Sequence, residues 1–278
     1  MIKNVKTYLG ALVVGVVMFS ACQQDEVAKL DEFAVDPLVI EKLKALGFDV
    51  TNQAPTLFED GYLVEGDIYL TDKTISEMSK PSFLPNSEQY STDNLVCGPR
   101  NITVYAPQGG SNGYSSAMIA GLDEAINRYN NENLTLTFQR VTSSSNADIV
   151  MTRLSRRDER RGVLGSAGFP TNSCDPYGEI KMSGVLESSY GLSTNGIATI
   201  IAHEMGHCIG FRHTDYFNRS ISCGGSPVNE GASTVGANHI PGTPTGASAS
   251  AASWMLACTD GSNRPFNNDD QTALDYLY

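Results

Sequence analysis

The chain has 278 residues, 41% hydrophobic and 18% charged, enough to bury a sizeable core as one medium domain with something smaller beside it. Its formal net charge of −12 excludes nucleic acid as a ligand, because a polyphosphate is held by clustered Lys and Arg. The densest basic run, RLSRRDERRG at 153–162, is diluted by Asp158 and Glu159 and reads as a solvated loop with internal ion pairs.

At the N-terminus Lys3 and Lys6 precede the apolar run YLGALVVGVVMF and then Ser20, Ala21 and Cys22. A positive start, an apolar stretch too short to span a bilayer and small residues before a cut predict an export signal over residues 1–21. Ser20-Ala21-Cys22 resembles a bacterial lipobox, with Phe19 where Leu is usual. That resemblance implies lipidation of Cys22 and a protein exported and anchored to the bacterial outer membrane or cell surface by acyl chains. Export permits disulfides. Cys97, Cys174, Cys208, Cys223 and Cys258 then predict two bridges and one free thiol, with the pairing open.

Residues 23–36 are polar and acidic and read as a tether. PLVIEKLKALGF predicts a helix burying Leu38, Ile40, Leu43 and Leu46 and stopped by Gly47. GYLVEGDIYLT predicts one strand, and SKPSFLPNSEQYSTDN, residues 79–94, a linker. NITVYAP is a strand, and SSAMIAGLDEAINRYNNEN a helix capped by Ser115 or Ser116. LTLTFQRV alternates as a half-buried strand, ADIVMTRL reads as a buried one, and GVLGSAGFP and GEIKMSG as shorter ones. LSTNGIATIIAHEMGHCIG is a second helix with Ile197, Ile200, Ile201, Met205 and Cys208 on its apolar side. Residues 216–253 carry no strand or helix period, whereas FNNDDQTALDYLY predicts a last helix capped by Asn268 or Asp269. This order predicts an α+β fold, a twisted mixed sheet with helices packed on it. The expected division is a signal peptide at 1–21, a tether, prosegment-like region and linker at 22–95, and a catalytic domain at 96–278.

HEMGHCIGFRHTD, residues 203–215, holds three of the four histidines. Residues four apart share a helical face, so His203 and His207 can meet one metal ion, and imidazole suits zinc. Glu204 lies beside them and can hold a metal-activated water. A catalytic zinc takes three protein ligands. Glu230 is one candidate for the third and His213 the better one, because Gly210 can supply the left-handed turn that ends the helix and swings His213 back. His239 reads as a loop residue.

HEMGHCIGFRH matches H-E-x-x-H-x-x-G-x-x-H, so the chain resembles the metzincin metallopeptidases, and among their relatives the bacterial dual-action HEIGH metallopeptidases. The resemblance covers about residues 97–278. It implies a single catalytic zinc on His203, His207 and His213, Glu204 as general base in hydrolysis of a peptide bond, and Met255 in a methionine turn beneath the site. It also implies that the strand in VLGSAGFP offers its edge to an extended peptide or protein substrate. Thr214-Asp215, directly after the third histidine, leaves the subfamily open. Acidic loops such as CDPYGE ordinarily face solvent and give calcium no support, and nothing in the sequence bears on oligomeric state.

VEGDI, residues 64–68, resembles the F-x-G-D-I motif of astacin prosegments, with Val64 in place of Phe; this implies that Asp67 occupies the zinc until the segment is cut away. Cys97 in VCGPR faintly resembles the matrixin cysteine switch, but its flanking residues do not match, and its ordinary reading is a disulfide partner. The alternative to a zinc endopeptidase made as a zymogen is a catalytically silent, zinc-containing surface binding lipoprotein; hydrolysis of a non-peptide bond is a third reading.

Overall fold

The computed structural model describes residues 34–51, 53–77, 89–230, 236–244 and 252–278. The expected signal peptide, Cys22, nearly all of the tether and most of the linker lie outside the described residues. Phe33–Tyr278 forms one compact unit.

Helix α1, Pro37–Ala45, is capped by Asp36, whose side chain accepts the Leu38 N–H. It buries Val39 and Leu43. Leu38, expected on the inner face, is 71% exposed, because Val39 and Leu43 share the stripe that meets the sheet. Strand β1, Thr56–Phe58, leads into β2, Gly61–Val64, and β3, Ile68–Leu70. The single strand expected over 61–71 is thus a hairpin. Glu65 and Gly66 both take positive φ, 54° and 96°, which turns the chain and pairs β2 antiparallel with β3. Helix α2, Asp72–Glu77, follows.

The end of the expected linker is buried rather than exposed. Strand β4, Tyr90–Ser91, sits between buried Gln89 and Thr92, because Thr92 N–H donates to the Gly210 carbonyl and Arg212 N–H to that of Tyr90. Strand β5, Arg100–Tyr105, faces Ile102 and Val104 inward. Helix α3, Ser116–Asn131, takes Ser115 as its cap. Strand β6, Leu136–Val141, alternates as its sequence predicts, and β7, Ile149–Arg153, buries Ile149 and Met151. The Arg-rich run is not a loop. Ser155 caps a short helix α4, Arg156–Arg160, and its acids are buried: Glu159 takes Arg153 Nε at 2.9 Å and Asp158 takes the Ser155 hydroxyl.

Strands β8, Gly165–Ala167, and β9, Glu179–Met182, precede the long helix α5, Thr194–Ile209. Within 216–253 the chain forms a short helix α6, Ser220–Cys223, and β10, Asn238–His239, which pairs with β4. The last helix α7, Asn268–Leu277, is capped by Asn267, one residue before the expected cap, because a reciprocal box with Asp270 satisfies both backbone N–H groups.

Eight strands form one mixed sheet in the order β1-β2-β3-β8-β9-β7-β5-β6. The β9, β7, β5 and β6 strands run parallel, β8 is antiparallel to β9, and β3 joins the outer edge of β8 in parallel. Helices α3 and α5 pack together on this sheet. They approach so closely that a Cβ on Gly121 would lie 2.5 Å from the Ile197 side chain. Helix α5 is buried from Gly196 to Ile209, consistent with a central rather than a surface helix. Disulfides join Cys97 to Cys174 and Cys223 to Cys258, leaving Cys208 free and buried. Among the described residues no helix is long and apolar enough to cross a membrane.

Candidate metal centre

Helix α5 places His203 and His207 one turn apart on one face, with ring centroids 4.7 Å apart. Gly210 then ends the helix at φ 114°, a conformation open to glycine, and Phe211 N–H closes the turn on the Gly206 carbonyl. The reversal stacks the His213 ring against His203, with centroids 5.2 Å apart.

Each ring is oriented from behind. Nδ1 of His203 lies 2.8 Å from the Trp254 carbonyl oxygen, and Nδ1 of His207 lies 2.8 Å from that of Phe211. His213 Nδ1 lies 2.8 Å from Glu230 Oε1. An acceptor at Nδ1 keeps the proton there and turns the Nε2 lone pair forward. His207 Nε2 is buried with no hydrogen-bond partner, as are Asp67 Oδ1 and Glu204 Oε2. Buried polar atoms left unpaired in this way mark a place for an ion. Among the described residues one group of metal-donor side chains stands together: Asp67, His203, His207 and His213, with ligand atoms all within 4.8 Å of one another. Three imidazoles, with His213 giving up its Nε2 proton to the ion, and a carboxylate fit zinc, which binds such N and O donors tetrahedrally.

Asp67 reaches the group from the β2–β3 hairpin. Its Oδ2 is 3.0 Å from His213 Nε2 and 3.6 Å from His203 Nε2. Burial alone would raise the Asp67 carboxyl, but the His213 charge holds it well below the usual carboxylate range. His213 shows the counterpart. Burial pulls it down, and Asp67 and Glu230 outweigh that and lift it well above an ordinary histidine. Burial and the neighbouring histidines push His207 well down.

Glu204 is buried against β8: a Cβ on Gly165 would lie 2.8 Å from its carboxyl carbon. Burial, with the Asp67 charge adding to it, raises the Glu204 carboxyl well above its ordinary value. Met255 is fully buried beneath α5, and its carbonyl accepts the Thr214 N–H. The structure therefore brings together His203, Glu204, His207, His213, Asp67 and Met255. Glu230 is in the group too, but behind His213 rather than among the donors. The other three candidates lie elsewhere: the loop histidine, the faint cysteine switch and the acidic loop. His239 Nε2 contacts the Thr243 hydroxyl, Cys97 is bridged to Cys174, and Asp175 of CDPYGE is paired with Arg100 at 2.7 Å.

Sequence patterns did not single out Glu65, Arg212 and Arg219. All three are buried beside the donors, with Glu65 Oε2 3.8 Å from Arg212 Nη2 and Arg219 Nη1 3.1 Å from Glu230 Oε1. The one local signal was an arginine between Phe211 and His213, a charge where the pattern is otherwise apolar. A cavity of about 240 Å³ opens in front of Glu204, walled by Leu164, Ile200, Leu256 and Thr259.

The family description that matches residues 62–278, most of the chain, is dual-action HEIGH metallo-peptidase. No curated protein sequence matches the chain. Two solved structures are similar. One, titled "Crystal structure of myroilysin", has 18% identity and TM-score 0.32 over 44% of this chain and 47% of that one. The other, "Structure of myroilysin", has 14% identity and TM-score 0.41 over 67% of this chain and 96% of that one. In the first of these matches the chain spans about half the length of its relative.

Proposed function

The chain belongs to the dual-action HEIGH metallo-peptidases, and from that premise we propose that it is a zinc-dependent endopeptidase, made as a latent precursor, with Glu204 as its general base. The observation that carries the reading is the convergence of three back-oriented histidines beside a buried, unpaired Glu204 Oε2. Zinc, when bound, supplies Lewis-acid polarisation of the scissile carbonyl and lowers the pKa of water towards neutrality. The Nε2 atoms of His203, His207 and His213 would hold it, with Trp254, Phe211 and Glu230 fixing their tautomers from behind. Glu204, raised by burial, is suited to take the proton from the attacking water and pass it to the leaving amine. Met255 moves no proton and packs beneath the ligands. The outer edge of β8 offers an extended peptide its backbone groups.

In the described state that edge is taken. The Ala167 N–H donates to the Asp67 carbonyl at 3.1 Å, and the Asp67 carboxylate stands against the histidine nitrogens where a substrate carbonyl belongs. This supports latency, relieved by cutting between α2 and β4, where Pro81 and Pro85 lie. Arg100, by contrast, lies in β5 and is paired with Asp148 and Asp175, which disfavours a cut there. A removable region running from residue 22 to the cut between α2 and β4, with the catalytic domain after it, is part of this proposal, as are the signal at 1–21 and lipid attachment through Cys22 at the outer membrane or cell surface. The expected boundary at 95/96 moves before β4 because Thr92 and Tyr90 are bonded to Gly210 and Arg212. One observation favours a second reading, a silent zinc-containing binding lipoprotein. With Asp67 the donor set numbers four, as in closed structural sites.

The deciding experiment takes residues 23–278 loaded with zinc, beside Glu204→Ala, and follows intact mass and cleavage of a mixed peptide library. Peptide cleavage by the Glu204 protein alone, after a cut between residues 77 and 90, is the expected result. If both proteins hold one zinc and neither cuts any peptide even after that segment is nicked, the peptidase reading fails and the silent one stands.

A further inference from the structure

Glu65, in the β2–β3 turn, is 1% exposed and drives a carboxylate into the wall built by residues 211–230. Its Oε1 accepts the Asp49 N–H at 3.2 Å, and its Oε2 has no hydrogen-bond partner. The same Oε2 lies 3.8 Å from Arg212 Nη2, and the Glu65 carbonyl accepts from Arg219 Nη1. The opposing carboxylate in this wall is Glu230, 3.8 Å from Arg212 Nη2 and 3.1 Å from Arg219 Nη1. Glu230 is committed to His213, and it belongs to the same stretch of chain as the arginines. Glu65 does not. It enters with the hairpin that also carries Asp67.

Around the two guanidinium groups stand Glu230 and Asp215, buried in the same stretch of chain, and Glu65, which lies on a segment that the latent-precursor reading removes. Departure of Glu65 takes its carboxyl from beside Arg212 Nη2 and its carbonyl from Arg219 Nη1, and for buried guanidinium groups such a loss is costly until another acceptor arrives. The arginines are held for that purpose. Arg212 Nη1 donates to the Gly236 carbonyl at 3.0 Å, and its guanidinium lies over the Phe169 and Tyr216 rings at 5.8 and 5.7 Å. Arg219 also borders the cavity in front of Glu204. We infer that Arg212 and Arg219 form a carboxylate-recognising subsite of the cleft, with Glu65 standing in for an acidic side chain of the substrate. Glu65 is two positions from Asp67, so the favoured peptides carry Asp or Glu within about two residues, roughly 7 Å of extended chain, of the scissile bond. Strand β3 runs parallel to β8, and an antiparallel substrate would run the other way, so distance rather than chain direction sets the position.

This inference rests on the endopeptidase reading, and its test separates the two. The zinc-loaded chain is nicked between α2 and β4 with an added protease, and the freed segment is washed away. Peptide pairs differing only as Glu or Gln at each of the two positions on either side of the bond are compared. A charge-assisted contact predicts kcat/KM about 10–100-fold higher for the Glu member at one position. That ratio should collapse towards one in Arg219→Gln and recover in part in Arg219→Lys. Binding gives a second readout that needs no turnover: a synthetic peptide of residues 61–70 should bind the nicked protein about tenfold or more tighter than its Glu65→Gln form. Ratios near one at every position, or a Glu65→Gln peptide that binds equally well, overturn the subsite while leaving the peptidase intact. Absence of any cleavage, with the binding difference preserved, overturns the peptidase and retains the subsite.

Discussion

Gly206 and Met255 are in contact across the floor of the metal centre: a Cβ on Gly206 would lie 2.6 Å from the Met255 sulfur. The residue before Met255 gives its carbonyl to His203, and Met255 gives its own to Thr214, beside His213. One turn of chain thus sets two donors. Gly206→Ala must push that turn away. An overpacking cost of about 1–3 kcal/mol in a urea titration is expected, together with weaker zinc binding. Met255→Leu, which nearly conserves volume, should cost less than about 1.5 kcal/mol.

Asp67 should be separable from catalysis. In the uncut chain, Asp67→Asn removes the charge facing His213 Nε2 but keeps the β3–β8 pairing. A charge-assisted contact of about 1.5–3 kcal/mol predicts that peptide cleavage by the uncut chain rises roughly tenfold or more. An uncut Asp67→Asn chain as inert as its parent would show that the strand, not the carboxylate, does the blocking.

Glu230 supports the centre from behind. Glu230→Gln leaves a weaker acceptor at His213 Nδ1, and a loss of about 10–100-fold in zinc affinity is expected, read by competition with a chromogenic chelator.

Metal removal should cost stability as well as activity. At a thousandfold excess of zinc over its Kd, binding contributes about 4 kcal/mol, so chelation should lower Tm measurably. Glu204→Ala should keep that zinc-dependent shift, and His207→Ala should lose it. Equal shifts in both variants would place the ion elsewhere.

Asp270 predicts a pH dependence remote from the metal. It is fully buried, and burial raises its carboxyl to about 7 although Gln89, Asn267 and Trp254 donate to it. An unfolded Asp titrates near 3.9, so between about pH 4 and 7 the native state binds more protons than the unfolded one. Stability from this group therefore falls as pH rises through that window, by an amount on the order of a few kcal/mol, and levels off above it. Asp270→Asn cannot titrate. The stability of the parent relative to that variant, measured by urea unfolding at several pH values, should decline from pH 4 to 7; a flat difference would contradict a raised carboxyl.

The sequence by itself determined what depends on spacing along the chain. His203 and His207 are four apart on a helix whose end Gly210 marks, and Ile102, Val104, Leu136 and Phe138 alternate as strands do. Local sterics and periodicity decide these features, so they can be read without a partner. Short stretches were less legible. The run at 153–162 reads as a solvated loop because charge ordinarily means exposure, whereas Glu159 is buried by pairing with Arg153. Only the tertiary structure decided that the hairpin at 61–70 covers the edge of β8, that Asp67 meets His213 across 146 positions, and that Glu65 faces Arg212 and Arg219. Those relations join segments far apart in the chain. They are set by packing and by the need to neutralise buried charge, and neither leaves a period in the sequence.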